Sequence, residues 1–360
     1  MDVTREQAIA LRVAAQGLAR RSVDDAAALL DLGVQHRESS VAVALAARLP
    51  DRPPADDVLA WTHRAAPHRH HLADLARWAR ALRPLSAADA AGRLTWTAEQ
   101  DAAFGALEAI DRVAEVLTSV VTGPMTKGEL STAVSREIPR ALQRDCPSCG
   151  VWHVYDQLLR LAALPAGLTL DGGRVLRALP PDDGWRRPVG PGEPADVAGL
   201  VTAAARVFGP ATTADLAAWI GTSAGALRPA VDVADLAAVR VAGRRAWVVR
   251  DRLEVLADPP SPPDLRLLPA FDPLLSARDR ALLVPDPQRR RALWPALGHP
   301  GAVLVGTEVL GTWRPRAAGS ALTLEVTAFE ELPRDLLDEE AERVAAARGL
   351  RLRAVTVARS

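Results

Sequence analysis

The repeating pattern of this chain is clearest where it reads Val239-Arg240-Val241-Ala242-Gly243-Arg244-Arg245-Ala246-Trp247-Val248-Val249. Apolar and polar residues alternate on both sides of a Gly-Arg-Arg turn, which predicts a β-hairpin. Helical patterns precede it over 196–208, 214–220 and about 223–231, separated by Gly209-Pro210 and Gly221. Three helices followed by a two-stranded wing are typical of a winged helix, whose second short helix enters the major groove.

The same order recurs twice upstream. In the second copy we expect a long helix over 98–120, a short helix that opens at 126–130, a helix over 153–163 and a wing over 167–175. In the first copy Thr4 and Gln7 have the spacing of a capping box.

Two further helices of the first copy are expected before its wing. One starts at Ser22 or Asp24 and closes at Gly33, and the next starts at Ser39 or Ser40. The segment 58–64 is expected to form a wing strand.

A proline-rich linker at 258–263 separates these copies from the C-terminal region. The period there changes to two over 302–306, 308–314 and 321–326, which predicts an antiparallel sheet or small barrel. A surface helix over 336–347 and a last strand over 350–357 follow.

The predicted fold is therefore α+β, with three tandem winged-helix units (helix-turn-helix with a β-wing) followed by a C-terminal β-barrel-like domain. The expected boundaries are 1–97, 98–190, 191–258 and 264–360.

Composition sets limits on the class of protein. The chain has 360 residues and is 49% hydrophobic, enough for a large core. No apolar run approaches the ~18 residues of a membrane span, and the charged start has no secretion signal, so we expect a cytoplasmic protein. The net charge is zero, which removes the usual electrostatic argument for nucleic acid. All cations but Lys127 are arginines, a bias that codon usage in G+C-rich genomes also produces.

The segment Leu32-Gly33-Val34-Gln35-His36-Arg37-Glu38-Ser39-Ser40 is the most promising site. A glycine hinge precedes an amide, an imidazole, a guanidinium and a carboxylate on successive residues. The apolar run 41–49 that follows would anchor them in the core.

The chain resembles the winged-helix DNA glycosylase family typified by AlkZ and YcaQ, and this segment is one of the motifs that carry the resemblance. The resemblance covers nearly the whole chain. Its motifs are 32–35, the segment 61–68 (similar to the family's Arg-Gly-x-x-His hairpin), 125–131, 267–275 and 311–314.

The resemblance implies hydrolysis of the N-glycosidic bond of alkylated purines in duplex DNA, bulky or crosslinked ones included, as in base excision repair or self-resistance to a genotoxin. Alkylation at N7 makes the base a cationic leaving group. Such an enzyme must position a water and stabilise an oxocarbenium-like sugar. The family does this with a Gln-x-Gln or Gln-x-Asp motif, which falls here on Gln35-His36-Arg37.

Gln35 matches that motif and Arg37 does not. A guanidinium stays protonated, so it cannot act as a base, and its charge would repel a developing cation. Glu38 could take the vacated role, His36 could act as the base, or Arg37 could bind the phosphate beside the lesion. The alternative is that catalysis has been lost.

The first wing carries four histidines and two arginines: His63, Arg64, His68, Arg69, His70 and His71. We expect Arg64, His68 and Arg69 to contact DNA, with a solvated loop as the alternative and metal binding as a lesser one. We expect the same of Lys127 and of the wing-tip residues Arg244 and Arg245.

Cys146-Pro147-Ser148-Cys149 and His153 give half of a zinc spacing, and no second half follows. We interpret the cysteines as two reduced structural thiols at the start of a helix, with zinc as a lesser alternative. We expect no metal and no cofactor.

Phe271 and Asp272 are expected at a pocket, although Asp before Pro is ordinary turn chemistry. The predicted partner is alkylated duplex DNA, bound by a monomer without an obligatory protein partner. A non-catalytic protein that recognises damaged or regulatory DNA, or one that sequesters a genotoxin, remains an alternative.

Overall fold

A computed structural model describes residues 1–22, 24–37, 40–49, 57–172, 175–179 and 185–360. In these ranges the helices are α1 Arg5–Ala15, α2 Ala27–Leu32, α3 Ser40–Ala46, α4 Leu75–Ala81, α5 Ala87–Leu94, α6 Ala98–Ala103, α7 Ala106–Val120, α8 Lys127–Glu137, α9 Asp156–Ala163, α10 Pro194–Phe208, α11 Thr213–Ile220, α12 Ala224–Val233, α13 Leu253–Ala257, α14 Arg280–Leu283, α15 Pro287–Leu293 and α16 Arg334–Ala347.

The strands of the same ranges are β1 Asp2–Val3, β2 Val34–Gln35, β3 Asp57–Trp61, β4 Pro67–His71, β5 Met125–Thr126, β6 Gln143–Cys146, β7 Val151–Val154, β8 Leu168–Asp171, β9 Val175–Ala178, β10 Leu236–Val241, β11 Arg244–Val249, β12 Arg266–Leu268, β13 Gly301–Val305, β14 Glu308–Ala318, β15 Ala321–Ala328 and β16 Arg351–Arg359. The mixed α+β class is confirmed.

The chain divides into two compact units, of which the first is discontinuous. Unit 1 comprises residues 1–55, 203–215 and 235–360. It contains a three-stranded sheet in the order β1-β10-β11 and a five-stranded sheet in the order β12-β13-β14-β15-β16. Side chains of α1 such as Ile9 and Val13 pack against residues of the second sheet, among them Leu268 and Leu304. The N-terminal segment is therefore part of the C-terminal core.

Unit 2 comprises residues 56–202 and 216–234. Strands β4, β3, β8, β9 and β5 lie side by side in that order, and β6 and β7 form a separate hairpin. The core lies between these strands and α7, α8 and α9, with Ile110, Leu130 and Leu158 fully enclosed.

The helices and hairpin expected over 196–249 are all present, as α10, α11, α12, β10 and β11. The hairpin turn lies slightly earlier in the sequence than the predicted Gly-Arg-Arg turn. It is formed by Ala242 and Gly243, which both have positive φ, as a type I′ hairpin turn requires. Arg244 and Arg245 therefore begin β11 instead of forming the tip. The count of three winged helices and the four-part division stay predictions.

The prediction of one long helix over 98–120 is wrong, because the chain forms α6 and α7 with a break between them. Phe104 is extended, and the Asp101 carboxylate accepts a hydrogen bond from the Ala106 amide at 2.8 Å, which caps the start of α7. The break also brings Gly105 to the N-cap position.

The C-terminal sheet differs from the prediction in two respects. β16 pairs parallel with β15, so the sheet is mixed and not antiparallel. The helix α16 lies between these strands in sequence, and such a crossover permits parallel pairing. Barrel closure is not confirmed, because β12 and β16 occupy the two ends of the strand order in the described residues.

A buried ion pair joins distant segments of unit 1. The Arg48 guanidinium, just after α3, donates to both carboxylate oxygens of Asp272 at 2.8 and 2.7 Å, and neither side chain is exposed. Arg48 also donates to the Ala44 carbonyl at 2.8 Å and to the Gln16 amide oxygen at 3.0 Å. Because the charges have hydrogen-bonding partners, removal of either would leave the other unmatched in the core.

We predict that Arg48→Met lowers the free energy of unfolding by about 3–5 kcal/mol, because the enclosed Asp272 carboxyl group would lose its ion-pair partner. Urea unfolding measures the difference. Arg228→Ala is the control, since it breaks the exposed Arg228–Asp232 pair of α12 and should cost about 0.5 kcal/mol or less. Equal losses in the two variants would contradict the role given to the buried pair.

Candidate functional site

The Gln35 segment lies between two helices of unit 1. Gly33 ends α2 with a φ of 94°, a conformation that favours glycine, and the chain then extends into β2. Val34 is buried, whereas Gln35 and His36 are partly exposed. Glu38, an expected catalytic residue, lies outside the described residues.

Arg37 is exposed and its guanidinium lies over the Phe271 ring, 4.5 Å from the centroid. The same ring also contacts His299, whose imidazole is stacked on it with the ring centroids 5.2 Å apart and an interplanar angle of 15°. A cation over an aromatic face gains electrostatic attraction from the ring. Arg37, Phe271 and His299 thus form a mixed stack at the surface of unit 1.

The position of Phe271 depends on Asp272. Phe271 has a φ of 65°, a strained conformation for an aromatic residue. The Asp272 carboxylate accepts a hydrogen bond from the Leu274 amide at 2.9 Å and is held by Arg48. Asp272 therefore acts as the turn cap considered from the sequence, and its full burial leaves it away from solvent.

His299 is a member of this stack that sequence analysis missed. Burial, followed by the charges of Arg280 and Arg37, lowers the pKa of His299 below its ordinary value. A neutral ring suits stacking beside a guanidinium. Its distance of 28 residues from Phe271 in sequence gave no signal of the contact.

The histidines of the first wing lie mostly inside unit 2. His63, His68 and His70 are at most 2% exposed, and the His63 ring lies 5.0 Å from that of His68 and 4.5 Å from that of Trp219. The His68 Nδ1 faces the Ala66 carbonyl at 2.9 Å. The DNA contact expected of His68 stays a prediction, and its burial argues against a direct contact in this conformation.

Burial lowers the pKa values of two of these histidines. The pKa of His68 falls well below its ordinary value through burial and then the nearby His63 and Arg64. The pKa of His70 falls to about 3 through burial and the charges of Arg77 and His71. The Thr62 hydroxyl lies 3.0 Å from the His70 Nε2 and gives the neutral ring a partner.

The cations expected at DNA divide into two groups, paired and exposed. Arg64 donates to the Trp219 carbonyl, Arg69 holds Asp57 at 2.7 Å, and Lys127 forms an ion pair with Asp156. These three would have to exchange or share partners to bind phosphate.

The two arginines of β11 are exposed, and the guanidinium of Arg245 lies 4.5 Å from the Trp247 ring centroid. They offer charge on the face of a hairpin, as a phosphate contact requires. Their role at DNA stays a prediction.

Two predictions for the cysteine motif are wrong. The segment at His153 is a strand and not the start of a helix, and the two cysteines do not lie at a helix start. Cys146 ends β6, Cys149 lies in the turn, and His153 is on β7, so the motif forms a hairpin. Hydrogen bonds with Ser148, His153 and Cys149 lower the pKa of Cys146 to about 6. The ligand atoms of the three residues lie within 4.8 Å of one another, which is the grouping that the zinc alternative of the sequence analysis requires.

A family model described as DNA glycosylase AlkZ-like matches residues 22–351. The chain therefore belongs to the AlkZ-like DNA glycosylase family. Among solved structures, Streptomyces sahachiroi DNA glycosylase AlkZ has a similar fold, with a TM-score of 0.76 and 23% identity over 99% of this chain and 100% of that chain. No curated protein matches. In the described residues no helix has the length and apolar character to cross a membrane.

We predict that unit 2 loses stability on acidification. Below the ordinary histidine pKa of 6.5, the histidines of the unfolded chain become protonated. His68 and His70 have lowered pKa values in the folded protein and stay neutral there to a lower pH. For His70 the loss is about 1.4 kcal/mol per pH unit as the pH falls from 6.5 towards 3.

Urea unfolding across this pH range tests the effect. His70→Phe should flatten the dependence by about one proton, whereas Gln288→Ala, at an exposed position without a titratable group, should leave it unchanged. An unchanged slope in His70→Phe would show that this ring is already charged in the folded protein.

Proposed function

We propose that this protein is a monofunctional DNA glycosylase that hydrolyses the N-glycosidic bond of N7-alkylated purines in duplex DNA. Family membership supports the glycosylase class. The observation that carries the proposal is the position of Gln35, partly exposed on β2 directly after the Gly33 hinge.

The chemistry asks little of the protein beyond a positioned water. A purine alkylated at N7 is cationic and leaves without protonation. The group that the protein must stabilise is therefore the sugar, which develops oxocarbenium character in the transition state. The Gln35 amide oxygen can accept a hydrogen bond from water, and the amide group carries no formal charge. Such an oxygen directs the nucleophile without trapping the cation as an ester.

Arg37 serves the substrate backbone in this proposal. Its stack on Phe271 keeps the guanidinium at the surface, where planar donors suit a phosphate. His36, which is partly exposed, is the described side chain best able to assist as a base. Glu38 is the further candidate.

The substrate range follows from the resemblance. We propose that bulky and crosslinked adducts are included, as self-resistance to a DNA-alkylating natural product would require. The exposed arginines of β11 would then contact phosphates of the same duplex.

We predict that Gln35→Ala reduces excision on the order of 10²–10⁴-fold, because the water loses its orienting partner. The assay is single-turnover release of N7-methylguanine from a fluorescent duplex, with abasic sites cleaved by alkali. DNA affinity, measured by anisotropy, should be unchanged. Gln288→Ala, at an exposed position near the start of α15, is the matched control. Equal rates in the two variants would remove Gln35 from the reaction.

We predict a different signature for Arg37. Arg37→Ala should weaken duplex binding and lower the slope of log affinity against log salt by about 1, with an unchanged rate at saturating protein. Arg37→Gln restores a Gln-x-Gln motif and should raise that saturated rate. If Arg37→Ala instead abolishes the saturated rate and leaves affinity intact, Arg37 acts on the reaction itself.

One observation favours a second function. The cation at a position where the family has an oxygen suits a protein that binds alkylated DNA without cutting it. Tight binding to the N7-methylguanine duplex with no abasic product, at high protein concentration and long incubation, would support this alternative.

A further inference from the structure

The turn between β6 and β7 brings the only two cysteines of the chain together. The amides of Cys149 and Gly150 both donate to the Cys146 carbonyl, at 3.0 and 2.9 Å. Gly150 has a φ of 66°, which closes the turn towards β7. A C-x-x-C turn of this kind presents two thiols on one side of a tight backbone loop, the spacing that structural zinc sites use.

His153 supplies a third donor from β7. It pairs with Arg144 of β6, and its Nδ1 lies 2.7 Å from the Val154 carbonyl. An N–H at Nδ1 that donates to this carbonyl leaves the lone pair on Nε2. Metal-bound histidines commonly have this second hydrogen bond, which fixes the tautomer and the ring.

We propose that Cys146, Cys149 and His153 bind one Zn²⁺, with water as the fourth ligand. In a tetrahedral zinc site, bonds of about 2.0–2.3 Å separate the ligand atoms by about 3.3–3.8 Å. The three ligand atoms lie within 4.8 Å of one another, so side-chain rotation brings them into range. Both thiols bind as thiolates and release their protons to solvent, and the imidazole binds in its neutral form.

The exposure of the group decides the character of the site. Cys149 is exposed and His153 partly so, which gives the ion a path from solvent and leaves the fourth position open to water. Cys146 is buried and anchors the ion to the hairpin.

The ion would stabilise the turn end of the ribbon, whose other end is anchored by Val154 in the core of unit 2. In the described residues β6 and β7 form a two-stranded sheet, an arrangement of marginal stability by itself. The ribbon presents the exposed Trp152 ring, with the Arg140 guanidinium 3.5 Å from its centroid. Zinc would therefore hold an exposed aromatic and cationic surface in one conformation.

The test uses the full chain, freed of metal by a chelator under reducing conditions and titrated with Co²⁺ and then Zn²⁺. We expect one Co²⁺ per chain, thiolate-to-cobalt charge-transfer absorption, and its displacement by Zn²⁺. Cys149→Ser and His153→Ala should each weaken binding by more than the roughly 10–100-fold that loss of an outer hydrogen-bonding partner costs. His71→Ala is the matched histidine control and should bind as the unchanged chain does.

Two further readouts exclude a trivial result. Zinc should slow amide exchange in β6 and β7 and protect both thiols from a thiol reagent, and circular dichroism should show that each variant is folded. Absence of the charge-transfer band overturns the proposal. So does unchanged affinity in a folded Cys149→Ser or His153→Ala variant, or a Cys146–Cys149 disulfide that forms equally fast with and without zinc.

Discussion

The Arg48–Asp272 ion pair is the contact on which the candidate site depends. It joins the end of α3, the helix that follows the Gln35 segment, to the loop that holds Phe271 in a strained backbone conformation. Gln16 extends the network from α1 through its own bond to the Val207 carbonyl. The two segments that carry Gln35 and Phe271 are thus fixed against the same core, and the strain at Phe271 persists because buried charges hold its neighbour in place.

Much of the fold could be predicted from local patterns. The capping box at Thr4, the helices after 196 and the strands after 301 follow rules that act within a few residues. The break at Phe104 and the parallel pairing of β16 depend on a side-chain cap and on sheet topology, which a periodicity does not report. The helix between β15 and β16 was itself predicted, and a crossover of that kind was a signal for parallel pairing.

Only part of the candidate site could be predicted from the sequence. Gln35 and Arg37 could be located because a motif is contiguous. The stack of Arg37 on Phe271 and His299 could not, since it joins positions far apart in the chain. The histidines of the first wing were expected at the surface because His and Arg alternate there, yet the strand places His68 and His70 inward and leaves Arg69 between them half-exposed. His153 could be grouped with the thiols by spacing alone, but the hairpin of β6 and β7 that brings the three side chains together was not predicted.

The discontinuous course of unit 1 has a consequence for its synthesis. Residues of α1 such as Ile9 and Val13 belong to a core cluster most of whose members follow position 265 in the sequence. At translation rates of about 5–20 residues per second, this N-terminal segment waits roughly 15–60 s before its partners leave the ribosome. Residues 56–202, most of unit 2, emerge in the meantime. The nascent chain therefore carries an apolar helix and Arg48 without their later partners through most of its elongation, and such exposed apolar surface favours aggregation until the C-terminal strands emerge.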